Sequence, residues 1–412
     1  MIFGLLGKTL THSFSPQIHR ILGDYDYHLF EVEPDCLSDF FHNKSFDGIN
    51  VTIPYKKSVI PFCDEISNKA KRIGSINTII KKPDGSLYGD NTDYFGLKYL
   101  LTSQNINVTD KKVLILGSGG SSLTVKTILE DFQASKIITV SRTGEVNYDN
   151  IYNHSDTDII INTTPVGMYP DFDKELINLS EFKACSYVID LIYNPFRTNL
   201  LISAKKLGIP YSNGMSMLAA QAFRSAELFL DKTLYISKIE TIIKKINNLE
   251  TNIVLIGMPG CGKSLTAKFL GKETGCNVID TDDIIEKSTS MSISEIFSKQ
   301  DEKAFRKIES KVVSDINQIK SSIISVGGGA VLSSENRNVL MRNGVIIYLQ
   351  RQPENLSFNG RPLSTDLNQV LKMADIRTPI YNSMADISIS VIENDINATI
   401  NNIMSKIYNY FN

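Results

Sequence analysis

Short runs of apolar, β-branched residues alternate with helix-like patterns along nearly the whole chain. The first predicted strands are Met1–Leu6, Ile49–Ile53, Val113–Leu116, Ile137–Val140, Ile159–Asn162 and Tyr187–Leu191. A second set is Ile253–Gly257, Val278–Asp280, Ile323–Val326, Val345–Leu349 and Ile387–Ser390. This alternation predicts an α/β fold built on mainly parallel sheets. Since 412 residues are too many for one ordinary core, we expect two or three domains.

Composition and charge exclude several classes of protein. The chain is 42% hydrophobic and 21% charged with a net charge of −2, which is unlike a general nucleic-acid or membrane-surface binder. Its five cysteines are odd in number and scattered, as in a reducing cytoplasm and unlike a disulfide framework or a zinc site. No apolar run approaches the roughly 18 residues of a membrane span, and no signal peptide is recognisable. We therefore expect a cytoplasmic protein whose ligands are small molecules.

A glycine-rich loop with the sequence GMPGCGKS occupies Gly257–Ser264 and matches the phosphate-loop pattern GxxxxGKS. A predicted strand precedes it and a predicted helix, Ser264–Glu273, follows it, which is the context that this pattern requires. Its backbone N–H groups can turn toward phosphate oxygens, while Lys263 reaches the outer phosphates and the Ser264 hydroxyl can hold Mg²⁺. The sequence thus predicts a site for ATP and Mg²⁺, with nucleotide contacts at Gly257, Gly260, Cys261, Gly262, Lys263, Ser264 and Leu265.

Two carboxylates end the next predicted strand. Asp280 and Asp282 are two residues apart, so alternation along a strand would place both side chains on one face. One carboxylate could then assist the metal while the other faces an acceptor hydroxyl. Taken alone, the two residues are more typical of a turn.

Over residues 251–412 the chain resembles shikimate kinase. The resemblance rests on five short motifs, which are D-T-D at 280–282, F-R-x-I-E at 305–309, G-G-G-A at 327–330, R-P-L at 361–363 and R-x-P-x-Y at 377–381. It implies that Asp280 holds the metal's water shell and that Asp282 is the base at the shikimate hydroxyls. The motifs also contain two arginines, Arg306 and Arg377, and a pair of guanidinium groups suits a planar carboxylate on a substrate.

The same resemblance implies further roles in the kinase site. Arg306 and Arg377 would bind the substrate carboxylate, and Gly328 would offer a backbone N–H. Phe297 and Phe305 would line the ring pocket, and Arg361 on the lid would neutralise charge on the transferred phosphoryl group. The lid stretch 350–360 is short, and Arg351 is the residue there that could lie against adenine.

A second glycine-rich turn, GSGGSS, follows the predicted strand at Val113–Leu116 and opens a predicted helix. This is the dinucleotide-binding pattern, with Ser122 in place of the third glycine. After the next strand, where an NAD site has an acidic residue, the chain has Arg142 between two hydroxyls. That chemistry favours the 2′-phosphate of NADPH, although Arg142 could also be a plain surface charge. The predicted contacts are Gly117, Ser118, Gly119, Gly120, Ser121, Ser141, Arg142 and Thr143.

Residues 1–245 resemble shikimate dehydrogenase. The motifs are S-x-S at 13–15, N-V-T-x-P-x-K at 50–56, N-T at 77–78, G-D-N-T-D at 89–93 and M-L-x-x-Q at 217–221. The resemblance implies that Lys56 and Asp93 form a catalytic pair, in which a partly desolvated ammonium protonates the developing alkoxide. It also implies substrate contacts at Ser13, Ser15, Thr52, Asn77, Tyr193 and Gln221, and nicotinamide contacts at Gly214 and Met217.

Two of these residues have a structural interpretation as well. Ser15 precedes Pro16 and so would be a helix N-cap with proline at the first helical position. Asp93 would cap a helix that starts at Tyr94. Neither role excludes the functional one.

Together the motifs predict a substrate domain at 1–103 plus 215–246, a Rossmann NADP-binding domain at 104–214, a linker at 247–251 and a P-loop kinase domain at 251–412. The resemblances imply reduction of 3-dehydroshikimate with NADPH, followed by phosphorylation of shikimate with ATP. Two alternatives are a quinate dehydrogenase joined to a related small-molecule kinase, and an enzyme with one half degenerate and regulatory. The oligomeric state stays open.

Overall fold

The computed structural model describes residues 1–10, 13–356, 367–392 and 395–411. The chain forms two compact units, one of Met1–Asn194 with Ser203–Ile246 and one of Pro195–Ile202 with Asn247–Asn412. The predicted α/β class is confirmed, since three sheets alternate with helices along the chain. Among the described residues, none of the helices combines the length and the apolar composition that a membrane span needs.

The first unit opens with a mixed sheet of six strands. They are β1 (Ile2–Gly7), β2 (Asp26–Glu31), β3 (Gly48–Val51), β4 (Glu65–Ile66), β5 (Thr78–Lys81) and β6 (Leu87–Asp90), in the order β2-β1-β3-β5-β6-β4. The accompanying helices are α1 (Ser15–Leu22), α2 (Leu37–Asn43), α3 (Asn68–Ile73) and α4 (Asp93–Ser103). β5 runs antiparallel to both β3 and β6, so the polar ends of β3 and β5 meet side by side.

A second, fully parallel sheet follows in the same unit. Its strands are β7 (Lys112–Leu116), β8 (Lys136–Val140), β9 (Ile159–Asn162), β10 (Tyr187–Asp190) and β11 (Tyr211–Ser212), in the order β11-β10-β9-β7-β8. The helices are α5 (Gly120–Asp131), α6 (Asn199–Lys206), α7 (Met215–Leu230) and α8 (Ser237–Glu250), although residues 199–202 and 247–250 belong to the second unit. The strand order reverses at β7, and the crevice at such a switch point is where doubly wound folds bind ligands.

The second unit contains another parallel sheet. Its strands are β12 (Asn252–Ile256), β13 (Asn277–Asp280), β14 (Ser322–Ser325), β15 (Gly344–Gln350) and β16 (Ile387–Ser390), in the order β13-β14-β12-β15-β16. The helices are α9 (Lys263–Thr274), α10 (Thr281–Thr289), α11 (Ile293–Lys299), α12 (Glu302–Asp315), α13 (Ser334–Asn343), α14 (Leu367–Met384) and α15 (Ile396–Tyr410). β12 is central, and its buried apolar residues lead directly into the phosphate loop.

The segment Pro195–Ile202 belongs to this second unit although it lies far upstream in sequence. The guanidinium of Arg197 is fully buried there and donates to the carbonyls of Met341 and Gly344 at 2.9 and 2.8 Å. It also pairs with the carboxylate of Asp386 at 2.8 Å, whose side chain is 3% exposed. Because both charges are buried, each depends on the other for compensation.

The predicted linker at 247–251 is not an irregular segment. Helix α8 continues to Glu250, so Thr251 alone separates it from β12. The helix buries Ile239, Ile242 and Ile246 on one face. Because this apolar face stabilises the helix, the helix continues through the polar residues that the sequence suggested as a linker.

Candidate active sites

Lys56 and Asp93 meet in the first unit. Lys56 lies in the loop after β3, and Asp93 is the first residue of α4. The Nζ atom of Lys56 is 2.5 Å from Oδ2 of Asp93, and only 13% and 8% of the two side chains are exposed. Water screens such a pair less than it screens a surface ion pair, so the attraction is stronger. The structure thus brings together the two residues predicted as the catalytic pair.

Asn77 holds the other oxygen of Asp93. Its Nδ2 donates to Asp93 Oδ1 at 2.9 Å, while its Oδ1 accepts from the backbone N–H of Thr92 at 2.7 Å. The second bond decides the orientation of the amide, because only the oxygen can accept. Gln221 completes the group, with Oε1 at 3.5 Å from Asn77 Nδ2. Two predicted site residues, Lys56 and Asn77, therefore contact one carboxylate, and a third, Gln221, adjoins Asn77.

The close approach of α4 and α7 makes this convergence possible. A Cβ atom at Gly96 would lie 2.5 Å from the carbonyl oxygen of Met217 and 3.0 Å from Cβ of Gln221. Any side chain at this position would push α7 away, so glycine is required for the contact. Met217 itself is 7% exposed.

The serine motif lies near the predicted Tyr193. Ser13 Oγ accepts from the backbone N–H of Ser15 at 3.2 Å, and the ring of Phe14 is 5.4 Å from that of Tyr193. Ser15 was predicted as an N-cap, and this is wrong. Helix α1 begins at Ser15, so Phe14 occupies the N-cap position and Ser15 lies inside the first turn.

The capping role predicted for Asp93 is also wrong. Helix α4 begins at Asp93 itself, and Asn91 Oδ1 accepts from the Tyr94 N–H at 3.2 Å. Asn91 takes over the local hydrogen bond of a cap, which leaves the Asp93 carboxylate for Lys56 and Asn77. Thr52, also predicted to contact substrate, is half-buried and anchored by its N–H to the carbonyl of Leu6 at 2.9 Å.

The glycine-rich turn GSGGSS at 117–122 connects β7 to α5. Gly117 has a φ of +108°, and a Cβ there would lie 2.7 Å from Thr163 Oγ1. Ser118 and Gly119 are exposed, and nothing lies within 4 Å of a Cβ built on Gly119. The turn therefore leaves room for a ligand against the backbone N–H groups at the start of a helix, as a pyrophosphate needs.

The same turn adjoins the catalytic pair. A Cβ at Gly120 would lie 3.3 Å from Cβ of Lys56. At the far side of the crevice, the N–H of Gly214 donates to the carbonyl of Ile192 at 3.0 Å, which places the start of α7 at the end of β10. A dinucleotide on the turn and a substrate at Lys56 would thus be neighbours.

Arg142 follows β8, between Ser141 and Thr143, with its side chain exposed. It makes no salt bridge to any acidic residue in the described part of the chain. Tyr148 lies close to Arg142. Burial raises the pKa of the Tyr148 phenol, and the positive charge of Arg142 opposes that rise. An exposed guanidinium at the end of the second strand suits a phosphate group.

The phosphate loop of the second unit has an open cradle. Gly260 and Gly262 have φ of +87° and +101°, and a Cβ on Gly262 would meet nothing within 4 Å. Lys263 donates from Nζ to the carbonyls of Gly257 and Met258 at 3.0 and 3.1 Å. Cys261 is fully buried as a filler, whereas Leu265 is 52% exposed. The geometry of this loop fits a nucleotide phosphate chain.

The expectation that Asp280 and Asp282 share a strand face is wrong. Asp280 ends β13, but Asp282 lies in the first turn of α10, and its N–H donates to Asp280 Oδ1 at 3.0 Å. Asp280 therefore caps the helix. It pairs in register with Ser325, whose Oγ is 3.5 Å from Oγ of Ser264. A carboxylate and a hydroxyl at this edge are a donor set that suits Mg²⁺.

The three glycines at 327–329 form the floor of the second site. The N–H of Gly327 donates to Thr281 Oγ1 at 3.0 Å, and a Cβ on Gly327 would lie 2.9 Å from Asp282 Oδ1. A Cβ on Gly328 would lie 2.8 Å from Pro259 of the phosphate loop. Only glycine lets the backbone approach both the carboxylate and the phosphate loop.

Arginines and a buried carboxylate surround this floor. Arg306 Nη1 donates to Glu309 Oε2 at 2.7 Å, and its guanidinium lies over Gly329. Arg377 is 6% exposed and lies close enough to act on Glu309 electrostatically. Burial raises the pKa of Glu309, and the two arginines oppose the rise. A cleft of about 390 Å³ is lined by Glu302, Lys303, Arg306, Glu309 and Gly329, among others.

The remaining predictions for the second site have mixed outcomes. The rings of Phe297 and Phe305 are 4.7 Å apart, as expected for two walls of one pocket. Arg361 lies outside the described residues. Several functional candidates were missed as individual residues. Glu309, Asn50, Thr78 and Thr92 fall inside the quoted motifs, whereas no sequence pattern singled out Ser225.

Comparisons with protein families give a match in each half of the chain. The family model for the shikimate dehydrogenase substrate binding domain matches residues 5–79, and the shikimate kinase model matches 259–408. Shikimate dehydrogenase (NADP(+)) of Clostridium beijerinckii is 38% identical over 247 residues, covering 55% of this chain and 91% of that protein. The Clostridium perfringens protein of the same name is 35% identical over 249 residues, covering 55% and 92%.

Solved structures give the same result. Shikimate dehydrogenase 1 from Peptoclostridium difficile is similar with a TM-score of 0.57 and 36% identity, covering 60% of this chain and 97% of that chain. A chorismate mutase/shikimate 5-dehydrogenase fusion protein from Clostridium acetobutylicum has a TM-score of 0.56 and 34% identity, covering 60% and 96%. The chain therefore belongs to the shikimate dehydrogenase family in its N-terminal part and continues into a shikimate kinase domain.

Proposed function

We propose that the first unit reduces 3-dehydroshikimate to shikimate with NADPH and that the second unit phosphorylates shikimate with ATP, giving shikimate 3-phosphate. The observation that carries the proposal is the Lys56–Asp93 ion pair, whose Nζ and Oδ2 atoms lie 2.5 Å apart. The pair is largely shielded from solvent and lies beside the glycine-rich turn between β7 and α5. In the second unit, the close approach of Gly328 to the phosphate loop supports the kinase activity. The product of the first reaction is the substrate of the second.

In the reduction, the carbonyl carbon gains a hydride and its oxygen gains a proton. NADPH supplies the hydride when it is bound at the turn. Lys56 gives a proton from Nζ to the oxygen as negative charge develops there, and the amine later regains a proton from water. Asp93 orients the ammonium, and Asn77 keeps Asp93 in place through the bond at 2.9 Å.

The substrate is held by groups on three sides of this pair. Ser13 and Ser15 can donate to its carboxylate, and Tyr193 adjoins them through Phe14. Thr52, Asn77 and Gln221 offer hydroxyl and amide groups to the ring hydroxyls. Fixed donors and acceptors around a small polar ring set its orientation toward the hydride donor.

In the phosphorylation, a substrate oxygen forms a bond to the γ-phosphorus as the bond to ADP breaks. Asp282 accepts the hydroxyl proton, while Arg306 and Arg377 bind the carboxylate of the substrate. Lys263, Ser264 and Asp280 would hold the phosphates and Mg²⁺, which neutralises the charge that develops during transfer. Arg361 is proposed to assist from the lid.

Cofactor choice, domain roles and location are also part of the proposal. The exposed guanidinium of Arg142 supports NADPH over NADH. We assign substrate binding to 1–103 plus 215–246, NADP binding to 104–214 and the kinase to 251–412. The five free cysteines support a cytoplasmic location.

The test uses the full chain in separate assays. With 3-dehydroshikimate and NADPH, we expect NADPH oxidation. With shikimate, ATP and Mg²⁺, we expect ADP release, and all components together should give shikimate 3-phosphate. Quinate is tested in parallel with NADP⁺, and a higher kcat/KM for quinate than for shikimate would contradict the assignment of the first unit. Failure of either isolated reaction would indicate that its unit is degenerate.

A further inference from the structure

We propose that Ser225, a fully buried serine on α7, is a positioning residue that fixes Asn77 and, through it, the Asp93 carboxylate. The inference rests on the proposed dehydrogenase function. Ser225 lies one helical turn after Gln221, and its hydroxyl donates to the Gln221 carbonyl at 2.9 Å. Its hydroxyl bonds to neither Lys56 nor Asp93, so its effect on the reaction must be transmitted.

Three hydroxyl groups form a closed cluster behind the catalytic pair, which we call the hydroxyl triangle. Its corners are Thr78 of β5, Thr92 before α4 and Ser225 of α7. The Oγ1 atoms of Thr78 and Thr92 are 3.1 Å apart, and Ser225 Oγ lies 3.0 Å from each of them. All three residues are at most 1% exposed. Polar groups buried this deeply have to satisfy one another.

The triangle controls the oxygen side of the Asn77 amide. The hydroxyls of Thr78 and Thr92 each lie 3.2 Å from Asn77 Oδ1, which also accepts from the Thr92 N–H at 2.7 Å. Because the Thr92 N–H and one threonine hydroxyl donate to this oxygen, the NH₂ group of Asn77 has to point the other way. It donates to Asp93 Oδ1 at 2.9 Å.

Ser225 is the corner that links the triangle to other elements. Its oxygen accepts from Asn50 Nδ2 of β3 at 2.7 Å, while its proton goes to the Gln221 carbonyl. A hydroxyl has one donor and two acceptor positions, and a threonine of the triangle takes the last one. The hydrogen-bonding capacity of Ser225 is therefore fully used, and it connects β3, β5 and α4 to α7.

Replacing Ser225 by alanine would remove this link without changing any residue proposed to touch the substrate. The Asn50 amide would lose its shortest hydrogen bond, at 2.7 Å, and would be left with longer ones to Thr78 Oγ1 at 3.1 Å and to the Asn77 carbonyl at 3.4 Å. One threonine hydroxyl would lose a partner, and both groups would then turn further toward Asn77. A shift of Asn77 would move Asp93 and misalign the Lys56 ammonium, and misplacements of about 1 Å can cost roughly 10²-fold in rate.

The test compares Ser225→Ala with Ser216→Ala in the full-length chain. Ser216 lies on the same helix, outside the triangle, so the two variants make the same chemical change. For Ser225→Ala we expect the dehydrogenase turnover number, kcat, to fall by about 10- to 100-fold. We expect the isotope effect on this turnover with 4-deuterated NADPH to rise, because the chemical step becomes slower than product release. Ser216→Ala should match the wild type in both measurements.

The isotope effect separates positioning from loss of folded protein. Partial unfolding lowers the apparent rate but leaves the isotope effect and KM unchanged, and that result would overturn the inference. Ser225→Cys, which puts a slightly larger and more weakly hydrogen-bonding thiol at this position, gives the same comparison if the alanine variant does not fold. The kinase reaction of the same preparation reports the second unit and should be unaffected.

A double variant tests the route through Asn77. If Ser225 acts by positioning Asn77, then Ser225→Ala should add little to the loss already caused by Asn77→Ala. Independent, additive losses would overturn the inference. A wild-type chain without dehydrogenase activity would instead refute the proposed function, and a wild-type-like Ser225→Ala in an active enzyme would refute only the role of Ser225.

Discussion

Lys56 and Asp93 hold each other at 2.5 Å, with 13% and 8% of their side chains exposed, although they come from a loop and a helix 37 residues apart. The Asp93 carboxylate is held at both oxygens, by Lys56 on one side and by Asn77 on the other. An ammonium that gives one N–H to Asp93 keeps its other two protons for a ligand in the cleft. The pair is therefore suited to acid catalysis at a single position in the cleft.

Lys56→Met should lower the dehydrogenase turnover number by about 10²- to 10⁴-fold, because the proton donor is lost while the shape of the side chain is kept. Phosphorylation of added shikimate should be unchanged. Lys57→Met is the matched control, since Lys57 is exposed next to it. Initial rates of both reactions on one preparation give the answer. A variant that loses both activities would contradict the assignment of the two reactions to separate sites.

Lys263→Ala should have the opposite effect. Its Nζ lies within 3.1 Å of the Gly257 and Met258 carbonyls, in the cradle of the phosphate loop. Loss of this charge should reduce the kinase kcat/KM by at least about 10²-fold, because charge developing on the phosphates is no longer compensated. Lys268→Met, on the exposed side of the same helix, is the control. Normal ATP turnover in Lys263→Ala would refute the role of this loop.

Arg142→Ala should raise KM for NADPH much more than KM for NADH. Only NADPH carries the 2′-phosphate, and a charge-assisted contact of this kind contributes about 1.5–3 kcal/mol. NADH is thus the internal control for general damage to the crevice. The measurement is KM for each cofactor at saturating substrate. Equal increases for both would show that Arg142 is structural.

Arg197→Met should destabilise the second unit by about 3–5 kcal/mol, because it removes the cation that pairs with the buried Asp386 carboxylate. The expected result is a lower temperature for loss of kinase activity. The control is Lys299→Met, which removes an exposed ion pair with Glu295 and should have little effect. Unchanged thermal inactivation in Arg197→Met would mean that the Asp386 charge is compensated in another way.

Acid should destabilise the first unit through His19. This ring is 1% exposed and stacks on Tyr27 at 3.9 Å, and burial lowers its pKa to about 3. The unfolded chain takes up a proton near pH 6.5 and the folded protein does not, so stability falls as pH drops from about 6.5 toward 3. Between pH 8 and pH 5 the loss from this residue is about 2 kcal/mol.

Hydrogen exchange of peptides from α1 measures this effect at the two pH values. His19→Gln should remove most of the pH dependence that comes from this group, even if the variant is less stable overall. His42→Gln changes an exposed histidine and should keep the wild-type dependence. An unaltered pH dependence in His19→Gln would show that other groups cause the acid sensitivity.

Sequence periodicity predicted the strands that are buried and continuous, such as Val113–Leu116 and Ile253–Gly257. It missed β2, β4, β5, β6 and β11, which are short or carry polar residues on an exposed face. These strands form because neighbouring strands pair with their backbones, and a single sequence does not display its pairing partner.

Both phosphate-binding turns, the lysine–aspartate pair and the arginines were predicted from local motifs, because turns and catalytic groups need particular residue types at fixed spacing. Local motifs did not predict three other features. These are the placement of Asp282 in a helix, the hydroxyl triangle around Ser225 and the membership of Arg197 in the second unit. Each depends on how the chain packs, and the contact of Ser225 with Asn50 joins residues 175 positions apart. Local patterns therefore determined which chemistry is present, and packing decided which side chains hold it in place.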